Sequence, residues 1–227
     1  MSATTSAQGS ARPIAGRLRI TEIFLSLQGE ADTVGVPTTF VRLTGCPLRC
    51  VYCDTAYAFT GGEVMTLAQV CERVDGYGVE HVCVTGGEPL AQREVLALLA
   101  SLCDAGHRVS LETSGALDIA AVDPRVVRVV DVKTPASGEM HRNRMENLEL
   151  LTTNDWLKFV IADRADYDWS RELVLAHELT DRCPVFFSPS HEVLAPRELA
   201  DWIVADRLAV RLQLQLHKYL WGDRPGV

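Results

Sequence analysis

The sequence predicts an α/β fold, a partial barrel of about six parallel strands, of the (βα)6 type, with some of its helices missing. Three observations predict it. Short β-branched runs alternate with stretches whose apolar residues recur at helical spacing, a pattern that implies parallel strands joined by right-handed crossovers. At 227 residues the chain falls short of the roughly 250 residues of a full eight-fold barrel. Helical stripes are scarce between Arg108 and Ile161, so helices are expected to be absent there.

The elements can be justified in order. Leu18 to Leu27 alternates in part and meets Gln28-Gly29-Glu30, a strand running into a loop. Thr38–Thr44 is the next strand. Leu67, Val70, Cys71 and Val74 fall on one helical face, with Thr66 as cap and Gly76 as stop. His81–Thr85 is a short β-branched run, a buried strand. Val95, Leu98, Leu99 and Leu102 form the stripe of a helix over 94–102 that Gly106 ends. Strands are expected at Arg108–Glu112, Val126–Val132 and Trp156–Ile161, and a helix at Tyr167–Leu179. A strand at Val185–Phe187 and a helix at Pro196–Asp206, opened by its proline, come next. Leu208–Leu216 is expected to close the chain as a strand.

With 47% hydrophobic residues the chain can bury one core, and a single domain over residues 18–227 is expected. Residues 1–17 are Ala/Ser/Thr-rich and lack the apolar block of a signal peptide, which suggests a disordered leader. A net charge of −8 argues against a nucleic-acid-binding surface. No apolar stretch approaches a bilayer span, so a cytoplasmic, membrane-free protein is expected. Seven cysteines are an odd number without a disulfide-framework spacing. Cys71, Cys83, Cys103 and Cys183 lie in apolar segments and are expected in the core.

The other three, Cys46, Cys50 and Cys53, stand in Thr44-Gly-Cys-Pro-Leu-Arg-Cys-Val-Tyr-Cys-Asp-Thr55. Their spacing lets three thiolates converge from one loop. A closed zinc site or a fully ligated iron–sulfur cluster would want four protein ligands, and no fourth follows within short range. A cubane held by three thiolates leaves one iron open to a small molecule, which points to reaction chemistry. The other distinctive polar groups also fall just past strand ends, where ligands of parallel sheets gather. They are Thr85-Gly86-Gly87-Glu88, Glu112-Thr-Ser-Gly115, Asp131-Val-Lys133, Lys158, Ser188-Pro-Ser190 and His217-Lys218-Tyr219.

The cysteine loop with Tyr52 before its last cysteine, followed by Val82-Cys-Val-Thr-Gly-Gly-Glu-Pro89, resembles the radical S-adenosylmethionine (SAM) superfamily. Phe24-Leu-Ser-Leu-Gln-Gly-Glu30, Arg42, Glu-Thr-Ser-Gly115 and Gln215-Leu-His-Lys-Tyr219 sharpen the resemblance to the 7-carboxy-7-deazaguanine synthase family. It implies a lyase that converts 6-carboxy-5,6,7,8-tetrahydropterin to 7-carboxy-7-deazaguanine with loss of ammonia, in 7-deazapurine and queuosine biosynthesis. It implies a [4Fe–4S] cluster on Cys46, Cys50 and Cys53, SAM on the open iron, and Mg2+ at Thr55. It places Tyr52, Cys53, Asp54, Gly86, Gly87, Glu88, Asp131, Val132, Lys133 and Ser188 around SAM, with Gly86 and Gly87 clearing space and Glu88 meeting the ammonium. Leu27, Gln28, Gly29, Glu30, Arg42, Thr85 and His217 are placed against the pterin. A flavodoxin- or ferredoxin-like one-electron reductant would be the partner, and a homodimer is one assembly open to such a chain. The chain departs from the family pattern at Ala31, where glycine is usual, at Asp131, where some members have serine, and in the extension Trp221–Val227. Two rival readings are a glycyl-radical activating enzyme and a non-enzymatic metal protein with Cys71 or Cys83 completing the site.

Overall fold

Period-two burial pairs β1 (Arg17–Leu27) and β2 (Pro37–Leu43) as an antiparallel hairpin, and β3 (Glu63–Thr66) adds to the other side of β1. The computed structural model describes residues 16–222, 224, 226 and 227. Residues 1–15 of the expected leader lie outside the described residues, and Arg17 already belongs to β1. From β2 onward the pairing is parallel, through β4 (His81–Gly86), β5 (Arg108–Thr113), β6 (Val127–Asp131), β7 (Trp156–Ile161) and β8 (Val185–Pro189) to a two-residue β9 (Arg211–Leu212). The sheet order β3-β1-β2-β4-β5-β6-β7-β8-β9 makes β2 and β4 to β8 the six parallel strands of the expected partial barrel.

Local chemistry sets the helices. Thr66 and Gln69 form a reciprocal capping box at the start of α1 (Leu67–Asp75). α2 (Val95–Asp104) follows, and Asp163 caps α3 (Arg164–Ala176) by accepting from Asp166 N. The helix expected at Tyr167–Leu179 thus starts earlier and breaks at Glu178, whose φ of 49° separates it from the single turn α4 (Leu179–Arg182). α5 (Pro196–Asp206) has its expected bounds. Between β5 and β7 the only helical segments among the described residues are 3-10 turns after β6, as the missing stripes implied. There buried Asn147 donates from Nδ2 to the carbonyls of Gly115 and Leu117, bonding a crossover that has no helix.

The strand expected over Leu208–Leu216 is a correction. Only Arg211–Leu212 pairs with β8. Leu216–Trp221 is instead a helix, α6, so His217-Lys218-Tyr219 is helical. The alternation of leucine and glutamine has another cause: the glutamines turn toward the β1–β2 loop. Gln213 Nε2 donates to Ala31 O, Gln215 Nε2 to Glu30 Oε1, and Leu216 N to Gly29 O. These bonds fasten the open side of the barrel.

Each parallel strand shows two faces. Val41, Leu43, Val82, Val84, Val109, Leu111, Val130, Leu157, Phe159, Val185 and Phe187 join one core with residues of α1, α2, α3 and α5. On the inner face Ala31, Val129, Trp156 and Phe186 make a smaller cluster, with the Trp156 and Phe186 rings stacked at 4.8 Å. Arg42, Thr85, Glu112, Asp131, Lys158 and Ser188, nearer the C-terminal ends of the same strands, line a cavity. Cys83 and Cys183 are buried, while Cys71 and Cys103 are part-buried against the core.

Candidate active site

The cavity has a volume of about 410 Å³, within the size range of small-molecule sites. Cys46, Cys50 and Cys53 all line it, part-buried and free of disulfides. Their loop is preformed. Arg49 Nη1 donates to the carbonyls of Cys46 (2.8 Å) and Leu48 (2.6 Å), and its guanidinium covers the Phe59 ring at 4.2 Å. Val51 N donates to Ser137 O, tying the loop to the segment after β6. Burial pushes the Cys50 thiol up to about 11 and raises Cys46 as well, so iron must displace those protons on binding.

Among the described residues no three ligating side chains are close enough to hold one metal ion. A cubane does not ask for that, because it spreads its thiolates over separate irons, and three cysteines around one cavity fit it. A second observation points to a polar ligand. Among the described residues, Asp131 Oδ1 and Ser188 Oγ are buried on the cavity wall without a hydrogen-bond partner, and such groups carry a desolvation cost until something meets them. Asp131 Oδ2 is held 3.0 Å from Lys133 Nζ. Burial works against that ammonium, but Asp131 more than offsets it, so Lys133 keeps its charge.

The glycines after β4 serve the fold first. Gly86 has φ 153°, and a Cβ there would lie 2.4 Å from Leu43 O; one on Gly87 would lie 2.3 Å from Gly45 O and 2.9 Å from Cys46 Cβ. The space expected for SAM is thus needed for close contact with the end of β2 at Gly86 and with the start of the cysteine loop at Gly87, although both glycines also line the cavity. Glu88 is a correction of place. It is fully buried, off the cavity wall, and accepts from Leu90 N, Thr113 Oγ1, Ser114 N and Ser114 Oγ. Its carboxylate ties the β4 loop to the end of β5 and leaves none of its oxygens facing a ligand. Val132 likewise packs into the core, off the cavity wall. Tyr52, Asp54, Thr55 and Lys133 line the cavity.

Leu27, Gln28, Gly29, Glu30, Arg42, Thr85 and His217 all line the same cavity. Gln28 shapes its own loop, its Oε1 accepting from Gly29 N (2.9 Å) and Glu30 N (3.3 Å). A Cβ on Gly29 would fall 2.2 Å from His217 Nδ1, so glycine there is what lets α6 close over the loop. Burial lowers His217 against the pull of Glu30 and Asp54, which favours the uncharged ring. Ala31 takes φ 59°, a left-handed conformation that costs a non-glycine residue about 1 kcal/mol. Arg42 and Thr85 are paired in the register of β2 and β4 and face inward together.

Three residues acquire roles that the sequence did not assign. Lys158, inside the apolar run Trp-Leu-Lys-Phe-Val-Ile, forms a buried ion pair with Glu30. Burial opposes ionisation of both partners, yet the pair wins, holding Glu30 well below the usual carboxylate range and Lys158 above its own. Glu112 shares the cavity without a hydrogen bond among the described residues. Burial, aided by Glu30 and Asp131 and resisted by Lys158 and Lys133, pushes it up to about 7. Glu22 pairs with Arg42 from behind the wall. An inward-facing lysine in an apolar strand was the available signal for Lys158; nothing local marked Glu22.

The cavity therefore holds three part-buried thiols, buried donors and acceptors, and one carboxyl poised near neutrality. Residues 40–130 match the family described as Radical SAM superfamily. The chain is 45% identical over 214 residues to a 7-carboxy-7-deazaguanine synthase of Chlorobaculum tepidum, covering 92% of this chain and 97% of that one. It is 46% identical over 222 residues to the protein of that name from Koribacter versatilis, with 90% and 97% covered. In fold it is similar to QueE from Escherichia coli, with a TM-score of 0.69 at 23% identity, spanning 88% of this chain and 95% of that one. SuiB from Streptococcus suis, solved bound to S-adenosylmethionine, shares the fold over 75% of this chain and 44% of its own, with a TM-score of 0.53 at 15% identity.

Proposed function

The chain belongs to the 7-carboxy-7-deazaguanine synthase family, and from that premise we propose how its residues divide the work of a radical SAM lyase acting on 6-carboxy-5,6,7,8-tetrahydropterin. When bound, the [4Fe–4S] cluster and SAM would supply the one-electron radical chemistry, and the protein's part would be to hold the pterin in register with them and exclude water. Cys46, Cys50 and Cys53 hold the cluster. Tyr52, Asp54, Gly87, Asp131, Lys133 and Ser188 surround SAM, with Asp131 Oδ1 and Ser188 Oγ as the acceptors awaiting a donor. Arg42 takes the pterin carboxylate through its planar fork. Glu112 faces the amino-pyrimidinone edge, where a carboxyl near its midpoint can accept from ring N–H donors or hold a proton. Glu30, fixed by Lys158 and Gln215, and His217 complete the wall. The electron comes from a small one-electron carrier such as a flavodoxin or ferredoxin.

The observation that carries this reading is the meeting of the cysteine loop with Gln28-Gly29-Glu30 and Gln215–His217 around one cavity. A glycyl-radical activating enzyme has no use for that second wall. The test is anaerobic reconstitution, then incubation with SAM, reductant and the carboxytetrahydropterin. Stoichiometric 7-carboxy-7-deazaguanine and ammonia are expected; SAM cleavage that leaves the pterin unchanged would overturn the assignment.

Thr55 is assigned to Mg2+. It precedes the turn Ala56–Phe59, but its side chain makes no capping bond; Oγ1 donates instead to Asp54 Oδ1 at 2.7 Å, on the cavity wall. Mg2+ takes hard oxygen ligands and keeps waters or substrate oxygens in the rest of its shell. Thr55→Ala is expected to raise several-fold the Mg2+ concentration needed for half-maximal turnover, with the cluster spectrum intact. An unchanged Mg2+ titration would remove Thr55 from the metal.

A further inference from the structure

Glu22 lies directly opposite Arg42 in the register of β1 and β2. Its Oε1 accepts from Arg42 Nε at 2.7 Å and from Tyr57 Oη at 2.7 Å. The Glu22 and Arg42 side chains are 23% and 17% exposed, so the pair is largely shielded from water. The guanidinium carbon sits 5.8 Å from the Phe24 ring centroid and 5.9 Å from that of Tyr57, and Phe24 is itself stacked on Phe40. Tyr57 is 45% exposed, yet partial desolvation, reinforced by Glu22 against the Arg42 charge, pushes its phenol up to about 12, which keeps it a donor. Arg42 lines the cavity, whereas neither Glu22 nor Tyr57 does.

This arrangement has a directional consequence. A guanidinium offers two two-pronged edges, one through Nε and one through the paired Nη atoms. Glu22 occupies Nε, which leaves the Nη1/Nη2 edge for a carboxylate on the cavity side. The two rings limit how the plane can turn. We infer that Glu22, itself fixed by Tyr57, is a positioning residue that orients Arg42 for the substrate carboxylate and thereby sets the preference for a carboxylated pterin. The inference rests on the proposal that Arg42 binds that carboxylate.

The test is calorimetric titration of cluster-loaded protein with 6-carboxypterin and with pterin, non-reacting compounds that differ by the carboxylate alone. Glu22→Ala is expected to weaken 6-carboxypterin about tenfold, a typical coupling for residues in contact, and to leave pterin unchanged. Glu22→Gln, whose amide oxygen still accepts from Nε, should recover most of the loss, and Tyr57→Phe should weaken 6-carboxypterin by a smaller factor. In an Arg42→Ala background, where Glu22 is left unpaired, Glu22→Ala should bring no further loss of 6-carboxypterin affinity. A loss that affects both ligands alike, or that persists in the Arg42→Ala background, would show a structural role and overturn the inference. Wild-type affinity in Glu22→Ala with weak binding in Arg42→Ala would overturn the positioning role and keep Arg42 as the carboxylate partner. Unchanged 6-carboxypterin affinity in Arg42→Ala would reject that partner and the inference with it.

Discussion

Loss of both the broad visible absorbance of the reconstituted cluster and SAM cleavage is the result expected for alanine at any one of Cys46, Cys50 or Cys53. Each lines the same cavity from one loop, and a cubane that already spares a fourth protein ligand has none to lose. Cys71, Cys83, Cys103 and Cys183 changed in the same way should leave cluster loading intact. Cys83 is the demanding control, because it too reaches the cavity wall. It sits on β4, buried, with its thiol pushed up to about 12 by burial and the nearby Glu112, and a metal protein that used it as fourth ligand would lose its metal in Cys83→Ala. Cys71 lies on α1 and packs against the outer core, which separates it from the cluster loop. Addition of SAM should alter the cluster spectrum of the wild type and of Cys83→Ala alike, since the open iron is intact in both. A normal cluster in Cys50→Ala would sink the assignment.

The parts of this site that were legible in the sequence are those in which one segment does the work. The cysteine loop, Thr85-Gly86-Gly87 and Gln28-Gly29-Glu30 carry their chemistry within a few residues, and the alternation of a strand over 38–44 accords with Arg42 and Phe40 on the cavity and Val41 and Leu43 in the core. The rest depended on pairing. Glu22 on a half-exposed strand looks like any surface acid until the hairpin register sets it against Arg42. Glu88 looked like a ligand contact, because nothing local shows that Thr113 and Ser114 of the next strand saturate it. Alternation over Leu208–Leu216 suggested a strand, yet the glutamines alternate to reach the β1–β2 loop, a tertiary partner that periodicity does not reveal. The short β3 escaped notice because only Met65 of its four residues is buried.

Arg42 carries the largest effect expected outside the cluster. Its guanidinium is shielded, faces the cavity beside Thr85, and already spends Nε on Glu22. Arg42→Ala therefore removes the proposed partner of the substrate carboxylate and leaves Glu22 without its ion-pair partner. Breaking a buried charged pair costs about 3–5 kcal/mol. The lower end of that range, suited to a pair that is not fully buried, already corresponds to about 100-fold in kcat/KM. Repulsion between the orphaned Glu22 and the incoming carboxylate acts in the same direction. Arg42→Lys keeps the charge but loses the planar fork and cannot serve Glu22 and the substrate along two edges at once. It should fall between wild type and alanine, closer to alanine if orientation matters more than charge. SAM binding and reductive SAM cleavage without pterin should be nearly unaffected in both variants, because the cysteines and the Asp131–Lys133 wall lie on other elements. That split separates recognition of the substrate from generation of the radical. Equal kcat/KM in wild type and Arg42→Ala, with the cluster intact in both, would place the carboxylate elsewhere on the wall and leave Arg42 with the structural task of neutralising Glu22.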